Sequence, residues 1–182
     1  MPMRASRKQA RAQAIQAAAR RLFLAEGVEA TTMEQVAEAA GVSRATLFNY
    51  YPGKAALLAG LSADLEQRLL DALTHYRNKH AAAPEALAAL YAHTGRVLAQ
   101  TAGLTRLLLM GQAGAGGFPA LRAGFGELAH AGQASGAWRS DVSAERLGET
   151  LYLDFLGSLL GWCQGADSLA ARCDDLNRLL SA

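Results

Sequence analysis

Alanine and leucine dominate the apolar part of this chain, whereas isoleucine occurs once and valine five times. Straight-chain and small residues favour helix, and the β-branched residues that favour strands are scarce. No stretch alternates apolar and polar residues with a period of two, and apolar positions recur at i, i+3, i+4 and i+7. The expected fold class is all-α. With 182 residues and half of them apolar, the chain is long enough for a small head and a larger body that each bury a core.

Helix starts and stops follow from the punctuation. A first helix is expected from about Arg7 to Glu26, stopped by Gly27, with Ile15, Ala18, Ala19, Leu22 and Phe23 on one buried face. A second opens at Thr31, where Thr31 as N-cap and Glu34 three residues on make a capping box. It ends at Gly41. Ser43 caps a third short helix running to Tyr50, and Pro52-Gly53 breaks the chain. A fourth helix runs from Lys54 to Lys79, with Leu58, Leu61, Leu65, Leu69, Ala72 and Tyr76 at helical spacing. Further helices are expected over 84–101, 104–110, 119–132, 144–163 and 168–180, and the glycine-rich stretch 111–117 reads as a flexible connector.

Two short helices joined by a tight turn, with Ser43-Arg44 opening the second, give the outline of a helix-turn-helix that reads DNA in the major groove. Charge agrees with that placement. Residues 1–54 hold eight Lys/Arg against four Asp/Glu, while the remainder holds ten against twelve. A basic end on a near-neutral body fits a polyanionic partner at that end. Arg4, Arg7, Lys8 and Arg11 sit at the start of the first helix, where cations oppose the helix dipole. Either a solvated tail or a minor-groove arm accounts for Arg4, Arg7 and Lys8.

The stretch Thr32-x-x-x-Val36-Ala37-x-x-Ala40-Gly41-Val42-Ser43-x-x-Thr46-Leu47-Phe48-x-Tyr50-Tyr51-x-x-Lys54 resembles the head of the TetR family of bacterial transcriptional regulators. The resemblance is strong over residues 10–60. Gly136-x-Trp138-Arg139-x-Asp141, ahead of the apolar helix at 144–163, resembles the segment that leads into the family's dimerisation helix. Two positions depart from the family pattern. Ala45 stands where Gly is common, and Phe48 stands where Tyr is common and lacks its hydroxyl.

The resemblance implies a helix-turn-helix DNA-binding domain over 1–53 and a helical effector-binding and dimerisation domain over 54–182. The expected DNA-binding residues are Thr32, Ser43, Arg44, Ala45, Thr46, Asn49, Tyr50 and Lys54. Arg44 carries the bidentate fork for guanine, and Asn49 suits adenine or a phosphate. Ala45 and Thr46 add apolar contacts. Thr32, Ser43, Tyr50 and Lys54 are assigned to phosphates.

For the body, the family implies a homodimer on a near-palindromic operator and a small-molecule effector. The helix at 144–163 is apolar on most sides, so Leu151, Leu156 and Leu159, with Leu176 and Leu179 of the last helix, are expected at the dimer interface. Tyr91, Met110, Phe118, Phe125, Tyr152 and Phe155 are the candidate ligand-binding residues. Few charges lie among them, which suggests an apolar or aromatic effector. The function expected is a repressor released by that ligand; a DNA-binding dimer without an effector, or an activator, is the alternative.

No enzyme is expected. His75, His80, His93 and His130 lack metal-ligand spacing, and GQAGAGG at 111–117 has no following Lys-Ser/Thr for a phosphate loop. No metal or cofactor is called for. Cys163 and Cys173 are too few for a disulfide framework and read as small buried hydrophobes, with oxidant sensing as the other role. No apolar run reaches the ~18 residues of a membrane span and no export signal is evident, so a cytoplasmic location is expected.

Overall fold

The computed structural model describes residues 2–113, 116–165 and 168–181, with the side chains of 2–6 and 113 left out. The side chain of Arg4 and the centre of the 111–117 connector therefore lie outside what is described. Every described element is helical, as the composition predicts: α1 (Pro2–Glu26), α2 (Met33–Ala39), α3 (Arg44–Tyr50), α4 (Lys54–Lys79), α5 (Ala83–Leu98), α6 (Ala102–Ala113), α7 (Pro119–Ala134), α8 (Ala144–Cys163) and α9 (Leu169–Leu180). A 3-10 turn, Ala99–Thr101, joins α5 to α6. No described helix is long and apolar enough to cross a membrane.

The chain divides into two compact units, Met1–Asp64 and Leu65–Ala182. The expected head ended at residue 53. The first unit continues into α4 because Leu57 and Leu61 are buried with Ile15, Ala19, Val36 and Leu47. Gly60 completes the fit: a Cβ there would stand 2.8 Å from the ring of Tyr51. Gln16 donates to the Gly60 carbonyl at 3.1 Å, and Arg20 pairs with Asp64 at 2.6 Å. Within α4 the buried stripe runs Leu57, Leu61, Leu65, Leu69, Leu73. Leu58, Ala72 and Tyr76, expected on that stripe, are half-buried.

The start of α2 differs from expectation by one residue. Thr32 is the N-cap, and its partner in the capping box is Gln35. The Gln35 N–H donates to Thr32 Oγ1 at 3.1 Å, and the Thr32 N–H donates to Gln35 Oε1 at 2.6 Å. Thr31 is instead fully buried, its hydroxyl donating to the Gly27 carbonyl at 2.8 Å. Both threonines carry a hydroxyl, so spacing alone did not choose between them. Gly41 adopts φ +64° after α2, the left-handed conformation that ends a helix cheaply only in glycine.

The second unit is built on close helix contacts. A Cβ on Gly148 of α8 would stand 2.6 Å from the Gly126 Cα and 2.9 Å from the Gly126 N in α7. The two backbones come this close because Gly148 carries no side chain; a Cβ on Gly126 would meet nothing within 4 Å. On α7, a Cβ on Gly132 would fall on the Trp138 ring, and one on Gly124 would stand 2.9 Å from a Leu73 methyl of α4. Glu66 of α4 caps α7, accepting the Ala120 N–H at 2.7 Å and the Leu121 N–H at 3.3 Å. A carboxylate there also meets the positive end of the helix dipole. The side chains of Arg77 and Glu127 join the same two helices further along.

Candidate functional site

On α3 the side chains divide cleanly. Leu47 is fully buried, while Ser43, Arg44, Ala45 and Asn49 are exposed on the outer side and Thr46, Phe48 and Tyr50 are half-buried. Ser43 caps the helix: its Oγ accepts the Thr46 N–H at 3.1 Å and lies 2.8 Å from the Thr46 hydroxyl. Arg44 is held from two directions. Its guanidinium pairs with Glu34 of α2 at 3.0 Å and lies over the Phe48 ring, 5.4 Å from its centroid. In place of a tyrosine hydroxyl, Phe48 offers a face for a cation. Glu34 and Phe48 were absent from the expected site, since nothing in linear spacing shows that Arg44 lies between them.

Lys54 also does something the sequence did not suggest. Its Nζ donates to the carbonyls of Val28 and Glu29, both at 2.9 Å. The first residue of α4 thereby ties down the turn between α1 and α2. Thr32, expected to offer its hydroxyl to a phosphate, uses that oxygen in the capping box. Tyr51 is set back: burial raises its phenol above the usual range, against the Gln16 hydrogen bond.

In the body, five of the six expected ligand residues are buried core. Tyr91, Phe118, Phe125, Tyr152 and Phe155 are at most 1% exposed. Phe155 meets Tyr91 edge-on at 5.2 Å and Phe125 at 5.3 Å between centroids. Met110 is 54% exposed. Tyr91 donates to Asp154 at 2.9 Å, and Ser158 donates to the same carboxylate oxygen at 3.2 Å. Burial first, then the Asp154 charge, pushes the Tyr91 phenol far up, so it remains a donor. Burial also pushes the Cys173 thiol up to about 12 and raises Cys163. Neither is a ready thiolate.

Among the described residues of this unit, two cavities bear on ligand binding. One, of about 330 Å³, lies between α4 and α5. Leu65, Leu69, Ala72, Val97 and Leu98 make its apolar wall. Tyr76 and His93 form a polar corner, the Tyr76 hydroxyl 3.2 Å from His93 Nδ1. The other, of about 510 Å³, lies against the outer side of α8 and includes Leu153, Leu156, Leu160, Arg122 and the expected residues Phe118 and Tyr152.

The expected interface residues also separate. Leu151, Leu159 and Leu176 are buried within the chain's own core, because the long face of α8 packs on α7 and neighbouring helices. Leu179 is 72% exposed and Leu156 half-buried, and Leu153, which the sequence reading passed over, is 55% exposed. Trp138 is buried against Gly132, and Arg139 pairs with Asp141.

Residues 15–61 match the family model described as bacterial regulatory proteins, tetR family. A TetR-family transcriptional repressor, Thermus thermophilus FadR in complex with lauroyl-CoA, shares 28% identity, with 92% of each chain covered and a TM-score of 0.72. The head, residues 15–61, is that of the TetR family of bacterial regulatory proteins. Bacillus subtilis FadR in complex with stearoyl-CoA is similar in fold at 18% identity, covering 93% of this chain and 97% of that one with a TM-score of 0.74. The SmeT–triclosan complex is similar at 17% identity, with 95% and 92% covered and a TM-score of 0.74. No curated protein sequence matches. Among the described residues, no group of three His, Cys, Asp or Glu gathers to hold a metal ion.

Proposed function

We propose that the chain is a sequence-specific DNA-binding repressor, released from its operator by a small molecule. The observation that carries this is the outer side of α3, where Arg44, Ala45 and Asn49 are exposed over a buried Leu47 within the matched head. An arginine and an asparagine on an exposed short helix have the donor and acceptor patterns that read base edges. Ser43 and Tyr50 flank them for phosphates, with Thr32 at the start of α2, and Ala45 and Thr46 add apolar contacts. Lys54 adds its charge from a fixed position at the start of α4.

Two such helices on successive major grooves require a homodimer and a near-palindromic operator. The exposed Leu153 and Leu179, with the half-buried Leu156, are available for that contact. Leu153→Glu with Leu156→Glu shifts the protein to monomer in analytical ultracentrifugation if this face is the interface. The effector enters the second unit. Lauroyl-CoA, bound by the Thermus relative, and triclosan, bound by SmeT, mark two chemical classes to screen.

Selection of bound sequences from random DNA tests the proposal. A near-palindrome is expected. Arg44→Ala should lose about 1–3 kcal/mol at one base-pair position. Equal loss on every sequence would remove the base-reading role of Arg44, and no enriched sequence would remove the whole reading.

A further inference from the structure

The aromatic cluster expected to hold a ligand is filled by its own side chains, so the effector needs another place. The cavity against α8 is a poor one. Its wall includes Leu153 and Leu156, which the dimer reading covers with a second copy. Its arginine, Arg122, already pairs with Glu149 at 3.4 Å and lies 4.9 Å over the Tyr152 ring.

The wall of the cavity between α4 and α5 includes neither of those leucines. Leu65 and Leu69 are almost wholly buried, and Val97 is half-exposed at the mouth. The volume, about 330 Å³, lies at the small end of ligand pockets, which run from ~300 to 1,000 Å³. The polar corner is a Tyr76–His93 pair. Burial, with Arg96 and His75 nearby, holds the His93 imidazole below its usual value, so it is uncharged at neutral pH. An uncharged imidazole with a phenol offers both donor and acceptor. Among the described lining residues, one arginine, Arg68, and one carboxylate, Asp71, are present. A coenzyme A thioester brings several phosphates, which call for a cluster of cations. The lining provides no such cluster.

We propose that the α4–α5 cavity is the effector site and takes a compact, uncharged, mostly apolar molecule with one hydroxyl or carbonyl group that pairs with Tyr76 and His93. This deepens the ligand-responsive reading above and rests on it. Much of the wall is α4 itself, so a molecule seated there favours whichever position of α4 leaves it the better-shaped space.

The test uses the full chain without DNA. Equilibrium dialysis compares 2-hydroxybiphenyl, biphenyl and decanoyl-CoA. The hydroxylated probe is expected to bind about 5-fold tighter than biphenyl, the worth of one hydrogen bond. Tyr76→Phe with His93→Phe should bring that ratio to near one while biphenyl still binds. Ala72→Trp fills the cavity and should abolish both. Val97→Trp closes the mouth and serves the same purpose if Ala72→Trp does not fold. Tighter binding of decanoyl-CoA, no binding of either neutral probe, or unchanged binding in both tryptophan variants would overturn the proposal. Because DNA is absent, failure here is distinct from failure of the sequence selection, which would remove the repressor reading instead.

Discussion

In the first unit, the helix ends are held by side chains: Thr32 and Gln35 at α2, Ser43 at α3, and Lys54 on the turn before α2. In the second, several helices meet where a side chain is missing: Gly148 on Gly126, Gly132 under Trp138, Gly124 beneath Leu73. The head is a small core braced by local hydrogen bonds. The body gets its fit from backbone proximity, which leaves little tolerance for added atoms. A binding surface needs defined helix ends with a free outer side, whereas a packed body needs its faces matched to one another.

The sharpest way to break this contrast is inside the head. Leu47→Ala should cost about 2–5 kcal/mol, since a fully buried side chain at the centre of a small core leaves a cavity. Urea unfolding followed by amide exchange should show protection lost over α1–α3 and retained over α7 and α8. Loss at equal level throughout would mean the two units do not unfold separately. In the body, Gly148→Ala should cost about 1–3 kcal/mol, because the new methyl meets backbone, which moves less readily than a side chain. The same change at Gly157, where a Cβ meets nothing within 4 Å, should be nearly silent. Equal effects at both glycines would contradict the close-contact account.

Thr32→Ala should cost about 1 kcal/mol through loss of the cap. Thr32→Ser, which keeps the hydroxyl, should restore most of it, whereas Thr31→Ser should not behave as a cap variant. The smallest effect is at His93. Its folded-state value is depressed mainly by burial, so the unfolded chain binds a proton first as pH falls. Stability should therefore drop as pH falls through the usual imidazole value of 6.5. His93→Gln should have a shallower loss than the parent between pH 7 and 5, measured by thermal unfolding. An identical slope would show that the imidazole titrates alike in both states.

The head was largely readable because its signals are local. Ser43 sits next to the helix it caps, and Gly41 next to the helix it ends, so sequence neighbours are also spatial neighbours. One slip, Thr31 for Thr32, arose where two identical side chains stand side by side and burial decided between them. The body was readable as helices but not as a site. Tyr91, Phe125 and Phe155 have the spacing of a pocket lining and of a core alike, and only the contacts among them distinguish the two. Tyr76 and His93 come together from different helices, and the α4–α5 cavity is a gap between surfaces, which no residue pattern spells out. Leu151 and Leu159 were placed outward because α8 is apolar on most sides; the neighbouring helices cover more of it than composition suggested.

The pairing of Arg44 with Glu34 bears on how the proposed DNA binding would respond to salt. Each phosphate neutralised by a bare cation sends counterions into solution, and the affinity falls accordingly as salt rises. Arg44 arrives with a carboxylate partner at 3.0 Å. In the proposed operator complex Arg44 would turn to a base, leaving the Glu34 carboxylate beside a polyanion, where it would draw a cation in. Uptake at this one position offsets release elsewhere, so the operator complex should be less salt-sensitive than a count of its basic residues implies, and Glu34→Gln should steepen that dependence.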